Sequence, residues 1–195
     1  MKAYYDRRAP EYDDWYLGLG RWSDRERAGW DDELRALRRV LEALPPARTL
    51  DVACGTGFLT RFLPGAVIGL DQSASMLEEA AREAPDASYV EGDGLDLPFE
   101  DRAFDRVFTA HFYGHLEGDA RETFLREARR VAPELVVVDS SRHAGDVDEE
   151  WQERILNDGS RWQVYKRYFG PETLAGELGG GETLFAGRWF VAVRS

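Results

Sequence analysis

The sequence predicts an α/β protein built on a doubly wound, mostly parallel sheet with helices on both faces. Three observations lead there. Short apolar runs alternate with amphipathic stretches along most of the chain, the pattern of successive strand–helix–strand units. A glycine turn, Cys54-Gly55-Thr56-Gly57, follows directly on one such run. The chain then ends on two apolar runs flanking Gly187-Arg188, which read as an antiparallel C-terminal hairpin.

Residues 1–29 stand apart from the repeating units. Tyr4, Tyr5, Tyr12, Trp15, Tyr16 and Trp22 are interleaved with charged residues, a composition that suits a lid over a site and equally a helical arm packed on the domain. Tyr12 and Tyr16 share one helical face by their four-residue spacing. Ser23 and Glu26 form a capping box, so a helix is expected to start there. Trp30, Leu34, Leu37, Leu41 and Leu44 supply its buried stripe and Pro45-Pro46 its end.

The first strand runs up to Val52. Beyond the glycine turn, residues 58–63 are compatible with a helix. Residues 66–70 predict the second strand, ending at Asp71, and Ser75 with Glu78 marks a helix to about residue 84. Residues 87–90 and 103–110 predict the third and fourth strands. Asp119 is placed to cap a helix over 119–131, and 134–138 is an almost wholly apolar fifth strand. A helix is expected near 147–157, whereas 161–169 fits neither the helical nor the strand period. Pro171 opens a short helix ended by Gly179-Gly180-Gly181, and 183–186 with 189–193 form the hairpin.

Composition narrows the function classes. At 195 residues a single domain, over 30–195, is the natural unit, and 43% hydrophobic residues are enough for a core. A formal net charge of −12 argues against the phosphate backbone of nucleic acid and against an anionic membrane surface. Cys54 is the lone cysteine, so neither an intrachain disulfide nor a cysteine-rich zinc site is expected. His111, His115 and His143 lack compact ligand spacing, and no metal is expected. No leader pattern or membrane-spanning run is visible. A cytoplasmic monomer or homodimer follows as the expectation.

Ligands of open α/β sheets bind beyond the carboxyl ends of the strands, where Asp51, Asp71 and Asp93 fall. Gly55 and Gly57 lack a Cβ, which lets the backbone approach a ligand. A helix after the turn would add its unpaired N–H groups. A dinucleotide fingerprint would need a third small residue where this chain has Thr60. The run Asp51-Val52-Ala53-Cys54-Gly55-Thr56-Gly57 instead resembles motif I of the class I S-adenosylmethionine-dependent methyltransferases, with Ala53 where those proteins often have Gly. The order of elements over 30–195 also resembles their seven-stranded sheet, whose last strand inserts antiparallel to the rest.

The resemblance implies S-adenosylmethionine as cofactor. It puts Asp51 near the methionine amino group with Ala53, Cys54, Gly55 and Gly57 beside it, and Asp71 and Gln72 at the ribose. Met76 would touch an adenine face, and Asp93, Gly94 and Leu95 would surround the ring. Tyr5-Asp6…Ala9…Tyr12-Asp13 resembles the segment that, in many small-molecule methyltransferases, folds over the cofactor, so Tyr12 is expected there. His111 and His115 follow the fourth strand, which borders the methyl-transfer pocket in the family. They are the candidate bases, and His111 is also a cofactor contact. Tyr12, Tyr16, Tyr113 and Arg167 are the candidate acceptor contacts. The implied activity is methyl transfer to an oxygen, nitrogen or carbon of a small molecule, mainly by proximity and alignment. A cofactor-binding module without transferase activity stays open beside it. An NAD-dependent oxidoreductase is disfavoured by Thr60 and the closing hairpin.

Overall fold

A computed structural model describes residues 1–143 and 147–195. Its strands are β1 (Ala47–Val52), β2 (Gly65–Asp71), β3 (Ser88–Glu91), β4 (Arg106–Ala110), β5 (Glu134–Ser140), β6 (Glu149–Ile155), β7 (Arg161–Arg167), β8 (Glu182–Ala186) and β9 (Phe190–Arg194). Its helices are α1 (Lys2–Arg8), α2 (Asp14–Leu17), α3 (Trp30–Glu42), α4 (Ala74–Glu83), α5 (Gly118–Val131) and α6 (Pro171–Glu177). Seven strands make one sheet in the order β3-β2-β1-β4-β5-β9-β8. The first five are parallel, and β9 runs antiparallel between β5 and β8. The predicted fold class, the inserted last strand and the closing hairpin are all present.

The sheet is covered twice because its strands are apolar on both sides. In β5, Leu135 and Val137 join the core with Phe124 and Val131 of α5, while Val136 and Val138 join the opposite core with Leu37 and Leu41 of α3. β9 divides likewise, Val191 and Val193 on one side and Phe190 and Ala192 on the other. Strand order reverses between β1 and β4. That switch point leaves a crevice beyond their carboxyl ends, where such sheets bind ligands.

Several local expectations are corrected. Residues 147–157 are not a helix: β6 pairs with β7 as a separate antiparallel ribbon, with Trp151 opposite Tyr165. Most of β6 is charged and exposed, so its ladder and its partner strand decide its conformation, not its own apolar period. The Ser23 hydroxyl donates to the Gly20 carbonyl at 2.9 Å and caps nothing. The helix begins at Trp30 after Gly29, which has a left-handed φ of 80°. Ser73, not Ser75, caps α4 by accepting from the Met76 N–H at 3.2 Å, and Glu117 rather than Asp119 is the cap residue of α5. After the glycine turn only one 3₁₀ turn forms, Thr60–Phe62. Pro64 stops it, since the residue before a proline is pushed to extended backbone and Leu63 has ψ 125°. The expected helix N-terminus is therefore absent at this turn. Among the described residues no helix is long and apolar enough to cross a membrane.

Candidate functional site

Two adjoining cavities lie at the switch point. The smaller, about 280 Å³, is bordered by the glycine turn, the end of β2 and the loop after β3. The larger, about 1010 Å³, lies among the N-terminal arm, the β6–β7 ribbon and the segments after β4 and β5. Tyr12, His111, His115 and Trp151 border both.

The smaller cavity has a built wall. Gly55, at φ 56°, donates its N–H to Asp71 Oδ2 at 3.0 Å, and the Ser73 N–H donates to Asp71 Oδ1 at 2.9 Å. Burial raises the Asp71 carboxyl, and the backbone donors of Ser73, Gly55 and Gln72 oppose that rise. Ala53 borders the same cavity at φ 57°. A left-handed alanine costs about 1–2 kcal/mol, so the departure from glycine is accommodated as strain. Across the cavity wall, Asp93 Oδ1 accepts from the Leu95 N–H at 2.9 Å. A Cβ on Gly94 would lie 2.9 Å from Phe112 Cζ and from Val52 Cγ1, which ties this loop to the sheet. Gln72 completes this wall, its carbonyl accepting from Lys2 Nζ.

His111 also stands in left-handed backbone, at φ 54°. Its ring meets Trp15 edge-on at 4.9 Å, and neither ring nitrogen has a hydrogen-bond partner among the described residues. Its Nδ1 is 3.8 Å from Asp139 Oδ1, an ion-pair distance too long for a hydrogen bond. Burial lowers its pKa, with Asp139 opposing. His115 lies 2.6 Å through Nδ1 from the Tyr165 carbonyl, so Nδ1 carries the proton and Nε2 is an acceptor. Burial, then Lys166, lowers its pKa to about 3. An orphaned buried imidazole and a glycine-lined cradle beside an oriented carboxylate fit an adenosine-bearing cofactor.

Comparison with known proteins bears on the family and the fold. A family model described as "Methyltransferase domain" matches residues 50–134. The 2-phytyl-1,4-naphtoquinone methyltransferase of Synechococcus elongatus is 30% identical over 183 residues, 84% of this chain and 72% of that protein. The chain belongs to the class I S-adenosylmethionine-dependent methyltransferases. The demethylmenaquinone methyltransferase of Thermotoga maritima is 38% identical over 111 residues, 53% of this chain; the match spans about half, 47%, of the relative's length. The solved DhpI–SAH complex superposes with a TM-score of 0.77 at 28% identity, covering 98% of this chain and 92% of that one.

Within this family member the predicted site residues divide. Ala53, Gly55, Asp71, Gln72, Asp93, Gly94, Leu95, His111 and Tyr12 come together at the smaller cavity. Others do not reach it. A Cβ on Gly57 would stand 3.2 Å from the Ala80 Cα, so that glycine serves the packing of the turn on α4. Met76 is fully buried within α4 and borders neither cavity. Cys54 donates its N–H to Leu70, and with Asp51 it borders a void of only about 10 Å³. Among the acceptor candidates, Tyr16 stacks on Phe58 at 4.0 Å and Tyr113 sits in the core with its hydroxyl donating to Glu177. Arg167 is held by Glu149 and Glu177. Only Tyr12 remains at the larger cavity.

Sequence reasoning missed the buried Asp139–Lys166 pair, whose Nζ and Oδ1 are 2.6 Å apart. It also missed Arg8 and Arg154 on the larger cavity's wall. The available signal was slight: Lys166 is one of two lysines, set among aromatics after Val164-Tyr165.

Asp51 yields a pH prediction. Burial raises its pKa to about 7, against a hydrogen bond from the Thr60 hydroxyl at 2.6 Å. Between the ordinary carboxyl value of 3.8 and about 7 the folded state keeps a proton that the unfolded state has lost, so stability falls as pH rises through that window. Asp51→Asn stays neutral and escapes the penalty. Relative to wild type it should gain on the order of 2–4 kcal/mol between pH 4 and pH 8, read from urea unfolding at both values. An equal difference at the two pH values would mean that Asp51 titrates normally.

Proposed function

We propose that this chain transfers a methyl group from S-adenosylmethionine to a small-molecule acceptor. The single observation that carries the proposal is the smaller cavity, where the Asp71 carboxylate, fixed by two backbone N–H groups, shares a wall with Gly55 and the 93–95 loop. Asp71 would accept from the ribose hydroxyls, a charge-assisted contact that a neutral residue makes less strongly. Gly55 and Ala53 would let the backbone come close to the methionine portion, and Asp93 with Gly94 and Leu95 would flank the adenine. When bound, the sulfonium supplies an activated methyl group that leaves a neutral thioether behind as the acceptor's lone pair forms the new bond.

The chain's remaining task is alignment and, for a protonated acceptor, removal of a proton. Tyr12 and His111 border both cavities, so an acceptor in the larger one would meet the methyl group at their shared edge. Burial lowers the His111 pKa, and among the described residues neither of its nitrogens has a hydrogen-bond partner, which suits it to take the proton. His115 is too weak a base for that and is fixed by Tyr165. Residues 1–29 would act as the cover, since Tyr12 and Trp15 come from this arm. The proposed setting is a cytoplasmic monomer or homodimer, and the net charge of −12 disfavours a nucleic-acid or anionic-membrane partner.

Isothermal titration with S-adenosylhomocysteine tests the reading, with micromolar or tighter binding expected. Absence of binding would overturn it. A fluorescence response to NADH would then favour the oxidoreductase alternative. Release of S-adenosylhomocysteine in an acceptor screen distinguishes a transferase from a binding module.

A further inference from the structure

We infer, resting on the methyltransferase reading above, that the acceptor carries a compact oxyanion, a carboxylate or a phosphate-type group, and that Arg8 and Arg154 bind it in the larger cavity beside Lys166. The chain is strongly acidic, yet this cavity is bordered by Arg8, Arg25, Arg27, Arg154 and Lys166. Elsewhere buried or half-buried arginines have carboxylate partners: Arg106 has Glu134, Arg130 has Glu127, and Arg167 has Glu149 and Glu177. Arg8, Arg25, Arg27 and Arg154 have none within ion-pair distance among the described residues.

The two proposed anchors are held by neutral groups. Arg8 donates to the Tyr4 hydroxyl at 2.7 Å, and its guanidinium lies over the Tyr12 ring, 4.6 Å from the centroid. Arg154 donates to the side-chain carbonyl of Gln152, and its Nε is buried without a partner. Both forks are thus positioned without being neutralised. A guanidinium fork matches the paired oxygens of a carboxylate or phosphate.

The cations also disfavour one another. Burial, then the nearby Arg8, lowers the Arg154 pKa. Lys166 is lowered by burial and by Arg154, against the attraction of Asp139. Such a group of like charges in one half-buried wall is relieved when an anion sits among them. Among the described residues three carboxylates share the wall, but Glu153 is taken by Arg161, Glu150 accepts from Gln152 and Tyr168, and only Glu26 is outside such contacts. Trp15, Trp22, Trp151 and Trp189 border the same space and would contact the acceptor's apolar part. The relatives matched by sequence bear naphthoquinone and menaquinone names; a wall with these cations fits an anionic molecule better than a neutral quinone ring with an apolar tail.

The test is calorimetric titration of the intact protein saturated with S-adenosylhomocysteine, using benzoate, phenylphosphonate and neutral phenol as probes. At least one anion should bind saturably and phenol should not. The benzoate and phenylphosphonate arms separate a carboxylate site from a phosphate-type one. Arg154→Gln and Arg8→Gln should each weaken the anion by about tenfold or more, and Arg154→Lys should recover part of the loss. Arg154 does not border the smaller cavity, so with Arg154→Gln the S-adenosylhomocysteine affinity should change less than about twofold, whereas Arg8 lies over Tyr12, which does border it. No anion binding up to about 50 mM, a limit far weaker than a paired contact should give, would overturn the inference. So would equal binding of phenol, or anion binding that survives both substitutions. Failure of S-adenosylhomocysteine itself to bind would strike the methyltransferase reading instead. The anion titration on the free protein would still judge the arginine site.

Discussion

Asp71→Ala is expected to weaken S-adenosylhomocysteine binding by about 1.5–3 kcal/mol, roughly 10- to 150-fold. The carboxylate is 7% exposed at the end of β2 and already accepts from Gly55 and Ser73. Its substitution therefore acts twice. The ribose hydroxyls lose a charged acceptor, and the Gly55 N–H loses the partner that fixes the turn. The second effect reaches the free protein too, where two buried N–H groups are left without their carboxylate, a cost of about 1–3 kcal/mol each if water does not replace it. Asp71→Asn separates the two, since its amide oxygen can keep one backbone donor while removing the charge. Calorimetry with both variants, beside urea unfolding without ligand, measures each contribution. Unchanged affinity in a variant folded by circular dichroism would show that the strand-end carboxylate is only a local brace.

The parts of the molecule legible in the sequence are those specified by neighbours along the chain. The apolar run of β1, the glycine turn and Asp71 lie within 25 residues (71 − 47 + 1), and each follows from backbone geometry or strand periodicity. The alternating units and the closing hairpin follow in the same way, whereas the antiparallel insertion of β9 was implied only by the family resemblance and the strand order at the switch point came from the structure. β6 was not legible, because an exposed acidic strand is specified by pairing with β7. Capping signals misled where a hydroxyl had a nearer use, as Ser23 has in bonding Gly20. Met76 and Tyr16 have the right chemistry for a ligand, but packing in α4 and against Phe58 claims them. Charge was the least legible property. Nothing in the sequence around Arg8 or Lys166 says that Arg8 will lie over Tyr12, or that Lys166 will be buried against a carboxylate 27 residues earlier.

That buried pair should show the largest loss of stability. Asp139 is fully buried and accepts from Lys166 Nζ at 2.6 Å, from the Gly114 N–H at 2.7 Å and from the Ser140 N–H at 2.7 Å. Asp139→Ala would leave an uncompensated ammonium with two unpaired N–H groups. It should destabilise the fold by about 3–5 kcal/mol. Lys166→Met should cost less, about 1–2 kcal/mol, because the carboxylate keeps its two backbone donors and an apolar chain fills the space. The asymmetry is the signature, measured by urea unfolding; equal losses would mean that the pair acts only through packing. Burial alone would raise the Asp139 carboxyl, but the Lys166 ammonium holds it well below the usual range. Its stabilising contribution is therefore complete above the unfolded carboxylate pKa of about 3.9 and declines as pH falls below it. The gap between wild type and Asp139→Ala should narrow at acid pH. Lys166 also helps to depress His111, which Asp139 pulls the other way. Lys166→Met should accordingly raise the His111 pKa and move the acid limb of kcat/KM to higher pH if His111 takes the acceptor's proton. A stability change without that shift would leave Lys166 as a brace for Asp139 and separate it from the chemistry.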